Sequence, residues 1–183
     1  MDLLNLLLDS RNSQALKQLA SGFGISESDA TNALSGMVPA LSGGLRNSLS
    51  SAGGQAGLLK ALAGGNHQRY VDQPETLAEA STITDGNAIL GHLLGSKDAS
   101  RRVASDVAAQ TGLDDGLLKK MLPAVAALVM GSMSKQSAAS GLTQALASGG
   151  DNSGMLGMLS GLLDADKDGS VMDDVANMAR KFL

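Results

Sequence analysis

The sequence predicts an all-α fold: a multi-helical chain in which one helical unit occurs twice and packs as one compact domain. Ordered recurrence is the first reason. Leu3-Leu4-Asn5-Leu6-Leu7-Leu8 returns as Ile89-Leu90-Gly91-His92-Leu93-Leu94, and the corner Gly24-Ile25-Ser26 returns as Gly112-Leu113-Asp114. Pro39-Ala40-Leu41 then returns as Pro123-Ala124-Val125, and Gly57-Leu58 as Gly141-Leu142. Self-similarity in a fixed order marks a duplicated supersecondary unit. Composition is the second reason. Aromatics make up 2% of the chain against 23 glycines and nine methionines, so the core must be built from Leu and Met with small residues where helices meet. Third, β-branched runs are short and strict polar/apolar alternation is absent, which disposes of strands.

Each element follows from local signals. Asp2 is placed to cap a helix over 3–8, and Ser13 to cap the next, whose face carries Leu16, Leu19, Ala20 and Phe23. Gly22 or Gly24 closes it. Ser26 reads as an N-cap with Asp29 three residues on and Ile25 and Ala30 at staple positions; Asp114 sits likewise between Leu113 and Leu118. Pro39 and Pro123 are expected to begin matching helices, since proline is tolerated in a first turn. The run 123–133 is apolar nearly all round and belongs at the centre of the fold. Gly43-Gly44 is expected to break its counterpart over 39–49 and leave it less buried. Polar loops are expected at 50–54 and 134–140, each followed by a short Gly-Leu helix.

The organisation expected is a first repeat over 1–65, a bridge over 66–88, a second repeat over 89–150, and C-terminal helices with an Asp-rich loop over 151–183. The bridge holds Pro74, the lone Tyr70 and most of the local charge, with one helix over 74–80 and a turn at Asp85-Gly86-Asn87. Beyond the second repeat, 155–163 and 171–183 read as helices. Gly157 and Gly161 have the spacing of a close-packing face.

A formal charge of −4 argues against nucleic acid or an anionic membrane surface as a partner. The absence of cysteine removes disulfides, thiolate metal sites and Cys nucleophiles. Met1-Asp2-Leu3 carries acid where a signal peptide needs basic charge, and the apolar run 121–133 is shorter than the ~20 residues that span a bilayer. A soluble cytoplasmic protein is expected.

The sharpest chemical signal lies near the C-terminus. Asp164, Asp166 and Asp168 alternate, Gly169 permits a turn, and Ser170 follows. Alternating carboxylates on a tight loop converge on a hard cation, with the Ser170 carbonyl and Asp173 or Asp174 completing a Ca²⁺ shell. Val175 stands where a calcium loop has its bidentate Glu, which implies weak binding. The competing reading is a capped acidic turn, Ser170 at N-cap and Asp173 at N3. The corner around Gly24 resembles a DNA-binding helix–turn–helix, but Glu27 and Asp29 occupy the helix that would face phosphates. No catalytic residues emerge: His67 and His92 lack metal-ligand spacing, Gly91 to Lys97 lacks the Gly-Lys-Ser/Thr of a phosphate loop, and no Gly-x-Ser-x-Gly elbow occurs.

The Leu-Leu-rich start, the Gly-Ile-Ser and Gly-Leu-Asp corners, the Pro-Ala helices and the acidic stretch over 163–174 together resemble the bacterial proteins grouped as DUF 937, a domain of unknown function. The resemblance extends over essentially the whole chain, with 163–174 its most specific element. It implies an all-helical fold and supplies no activity, substrate or catalytic residue. The expected function is a noncatalytic helical interaction or scaffold protein, with a protein partner or self-association, no resident cofactor beyond weakly held Ca²⁺, and no membrane span. Two alternatives are an apolar small-molecule carrier, with Met and Leu lining a pocket between the repeats, and a DNA-associated protein using the corner.

Overall fold

The computed structural model describes residues 3–8, 12–50, 52–64 and 66–139, and every regular element among them is helical. In chain order these are α1 (Leu3–Leu8), α2 (Ser13–Phe23), α3 (Glu27–Leu49), α4 (Ala52–Gly64), α5 (Arg69–Asp72), a 3₁₀ turn (Pro74–Ala78), α6 (Ala80–Leu94), α7 (Lys97–Thr111) and α8 (Asp115–Ala139). The helices expected over 141–147, 155–163 and 171–183 lie outside the described residues.

Two corners set the layout. Gly24 ends α2 and Gly112 ends α7, both left-handed at φ 69° and 74°, a conformation that glycine adopts without a Cβ penalty. The next helix is capped at once in each case. The Ser26 hydroxyl accepts from the Asp29 N–H at 3.0 Å, and Asp114 Oδ1 accepts from the Leu117 N–H at 2.7 Å. The caps expected at both corners are thus in place. At the start of α2, however, Asn12 and not Ser13 takes the cap position.

The capped helices run longer than their composition suggests. α3 continues through Pro39 and Gly43-Gly44 to Leu49, and α8 through Pro123 to Ala139. The expectation that each proline starts a helix is therefore wrong. Nor do the prolines match in position: Pro39 lies thirteen residues beyond Ser26, Pro123 nine beyond Asp114, one helical turn apart. An interior proline costs up to ~3 kcal/mol because it removes an N–H and crowds the preceding turn. Here the carbonyls deprived of a donor belong to Ser35 and Lys119, both exposed, so water can serve them. Burial further along offsets the rest. Leu41 and Leu45 are buried beyond Pro39, against the expectation of a broken, exposed helix. Gly44 explains the glycine pair: a Cβ there would stand 2.5 Å from the Leu93 carbonyl oxygen, so α3 and α6 cross backbone to backbone.

α8 occupies the centre. Every residue from Met121 to Ser134 is buried, as the unbroken apolar run predicts. It is the described helix long and apolar enough to cross a bilayer, but 78% of that stretch is covered by the protein's own helices. α1 and α2 pack on α3 as α6 and α7 pack on α8; α3 also meets α6 and α7, while α8 meets α1 and α2. Exchanging the first three helices for the last three thus leaves these neighbour relations unchanged. Within this core Leu19, Leu34, Met37, Leu118 and Met121 are fully buried.

The largest departure from expectation is α6. It begins at Ala80, and the presumed turn Asp85-Gly86-Asn87 lies inside the helix. Its reason is contact with α8: Gly86 is buried, and any Cβ on it would overlap the Pro123 carbonyl. Turn propensity loses here to packing. The 134–140 loop is likewise replaced by helix as far as Ala139, while the helix over 74–80 becomes the short 3₁₀ turn.

Two glycines of α6 should therefore respond in opposite ways. Gly86→Ala is expected to destabilise the protein by about 1–3 kcal/mol, because backbone has to move. Gly91→Ala, exposed and with nothing within 4 Å of its Cβ position, should stabilise by about 0.5–1 kcal/mol through helix propensity. Urea denaturation of both variants measures the difference.

Candidate functional site

The richest polar constellation among the described residues sits where α5 meets α6 and α8. α5 is only four residues long, so packing rather than helix propensity holds it. Gly131 of α8 makes the seat: a Cβ there would lie 2.6 Å from the His67 carbonyl oxygen and 3.2 Å from Tyr70 Cβ. Gln68 Nε2 donates to the Ser134 carbonyl at 3.4 Å, and Lys135 Nζ to Asp72 at 2.6 Å.

Tyr70 is fully buried, and its hydroxyl needs a partner. It donates to Asp85 Oδ2 at 2.6 Å, and Arg69 Nη2 donates to the same oxygen at 2.7 Å and to the Tyr70 oxygen at 2.9 Å. The guanidinium carbon lies 4.9 Å from the Tyr70 ring centre, a cation–π contact. On the other side the His67 ring is 6.0 Å away and tilted by 33°. The Arg69 and Asp85 side chains are 38% and 46% exposed, so their ion pair is screened and contributes less than about 1 kcal/mol. The buried phenol contributes more, through a hydrogen bond to a charged acceptor.

Electrostatics follow from this geometry. Burial, and then the hydrogen bond to Asp85, push the Tyr70 phenol above its ordinary value. Burial pushes His67 below its ordinary value, aided by Arg69 and opposed by Asp85. At neutral pH the ring is uncharged and the phenol keeps its proton. Among the described residues the perturbed carboxyl is Asp115, held low by Lys119 and then by Ser105 across the α7–α8 corner.

The residues singled out for Ca²⁺, Asp164, Asp166, Asp168, Ser170, Asp173 and Asp174, all lie outside the described residues. Among the described residues no three His, Asp or Glu side chains gather as a metal site. His67 and His92 are separate, His67 against Tyr70 and His92 on the exposed side of α6. Sequence reasoning missed the Arg69–Tyr70–Asp85 cluster. Its signal was a lone tyrosine flanked by Arg69 and His67 in the charge-rich bridge, but the partner Asp85 was assigned to a turn.

The fold and this cluster together define an all-helical protein in which Arg69, Tyr70 and Asp85 brace α5 against α6. The chain belongs to a bacterial protein family of unknown function, DUF937, whose profile matches residues 5–136. The match ends before the acidic segment 163–174, so that segment, expected to be the most specific element of the resemblance, is not part of it. No curated protein and no solved structure gives a significant match to the chain.

Removing the phenol alone tests the cluster. Tyr70→Phe should cost about 1–2 kcal/mol at neutral pH in urea denaturation. A phenol whose folded value is raised stabilises the fold below its ordinary pKa of 10.0 and loses that contribution as pH rises above it. The parent should therefore weaken above about pH 10 more steeply than Tyr70→Phe.

Proposed function

We propose that the protein is a noncatalytic helical interaction or scaffold protein, built from two related helical units, that acts through a protein partner or a second copy of itself. The observation that carries this reading is how the polar groups are spent. Arg69, Tyr70 and Asp85 bind one another across α5 and α6, Lys135 binds Asp72 across α8 and α5, and the corner side chains of Ser26 and Asp114 cap helices. Groups committed in this way hold elements together and have little left for a reacting substrate.

Packing also weighs against the two alternatives. Met37, Met121, Met130 and Met133 are buried within one continuous apolar core together with leucines of α3 and α8, where they serve to pack the helices. A recognition helix must enter a DNA groove, whereas the middle of α8 is wrapped by other helices and the start of α3 carries Glu27 and Asp29. The unchanged neighbour relations on exchange of α1–α3 for α6–α8 support the duplicated plan.

Weak Ca²⁺ binding by Asp164, Asp166, Asp168, the Ser170 carbonyl and Asp173 or Asp174 belongs to the same proposal and rests on their spacing. A native mass spectrum of freshly purified full-length protein, with and without chelator, tests both parts. The expected spectrum is of the chain or its complexes with protein, free of any retained organic molecule. A stoichiometric apolar ligand would instead identify a carrier. Calorimetric titration should give a Ca²⁺ dissociation constant of about 10⁻⁴–10⁻³ M, abolished in Asp166→Ala; no heat at millimolar Ca²⁺ leaves only a capped turn.

A further inference from the structure

The segment 66–78 is a strap laid across both halves of the bundle. At one end α5 rests on Gly131 of α8; at the other, Ala78 rests on Gly22 of α2, where an added Cβ would come within 2.7 Å of it. The strap's own regular structure is slight, four residues of α-helix and a 3₁₀ turn. Such short elements open more readily than long core helices. It is held by the buried Tyr70, Pro74 and Leu77 and by Lys135 on Asp72, and it is locked to α6 by a bolt of side chains: Tyr70 and Arg69 on Asp85 Oδ2, with His67 against the Tyr70 ring.

We propose that the strap is a proton-released latch: protonation of His67 unbolts residues 66–78 from α6, loosens them on α8 and bares the Gly131 face, while α3 and the middle of α8 stay folded. The charged groups facing His67 are Asp85 from α6 and Arg69 from the strap itself. α8 faces His67 with the Gly131 backbone, and its Lys135 is paired with Asp72. An imidazolium here is half-buried and shares its surroundings with the Arg69 guanidinium. Among the described residues Asp85 is the facing anion, and its Oδ2 already accepts both Tyr70 and Arg69. An imidazolium competes with Arg69 and Tyr70 for that one carboxylate, and the Tyr70 bond to it is the bolt. The sign agrees. His67 lies below its ordinary value of 6.5, so the closed strap has its full stability above that pH and loses it as pH falls below.

The chain has one tyrosine and no tryptophan, so its tyrosine emission reports on the strap. Hydrogen exchange of the intact protein is compared at pH about 7.5 and about 5.5, either side of ordinary histidine titration, after correction for intrinsic exchange. Amides of 68–78 should lose protection by about threefold or more, those of α3 should not, and tyrosine emission should change over the same range. His67→Gln should abolish both changes. The latch is overturned if the strap keeps its protection at the lower pH, if strap and α3 lose protection together, or if His67→Gln keeps the acid transition. Asp85→Asn gives a second reading should His67→Gln not fold. It should leave the strap poorly protected already at neutral pH, and full protection there would equally overturn the latch.

Discussion

Helix α8 has no polar stripe between Met121 and Ser134, so it must be covered on every side, and the remaining helices are arranged to do that. An apolar helix of this length would otherwise seek a membrane or aggregate. Covering it with few aromatic residues requires close approach, because small side chains reach only short distances. Gly86 provides this against the Pro123 carbonyl and Gly131 against His67 and Tyr70. Gly44 does the same between α3 and α6. The glycines that look like breaks or turns in the sequence are the sites at which helices touch.

That explains which parts of the fold were legible. The two corners were readable because capping is local: Gly24 and Ser26, or Gly112 and Asp114, act within one turn of chain. The central place of α8 was readable because a run with no polar face has only one kind of environment. Helix boundaries near Pro39, Pro123 and Gly86 were not readable, since their usual local meaning was overridden by burial against distant elements. The Tyr70 cluster was hidden for the same reason. Arg69 and Tyr70 are neighbours in sequence, but Asp85 joins them only because α6 extends back through Gly86.

The neighbour relations also bear on how such a fold is held together. Each long capped helix is served by its own two preceding helices and by the pair belonging to the other. Reciprocal packing of this kind makes neither half self-sufficient, because each lends apolar surface to the other's central helix. The strap over 66–78 is the exception. It touches both halves, and beside the burial of Tyr70, Pro74 and Leu77 it is fastened by side-chain hydrogen bonds and an ion pair at the solvent boundary.

The central claim is that the middle of α8, from Met121 to Val129, can be uncovered only by dismantling the whole bundle. Native-state hydrogen exchange under increasing denaturant tests it most directly. The account predicts that amides between Met121 and Val129 are the slowest to exchange and open with the full free energy of global unfolding. Exchange of that segment through a smaller opening, while α3 or α6 remained protected, would contradict it.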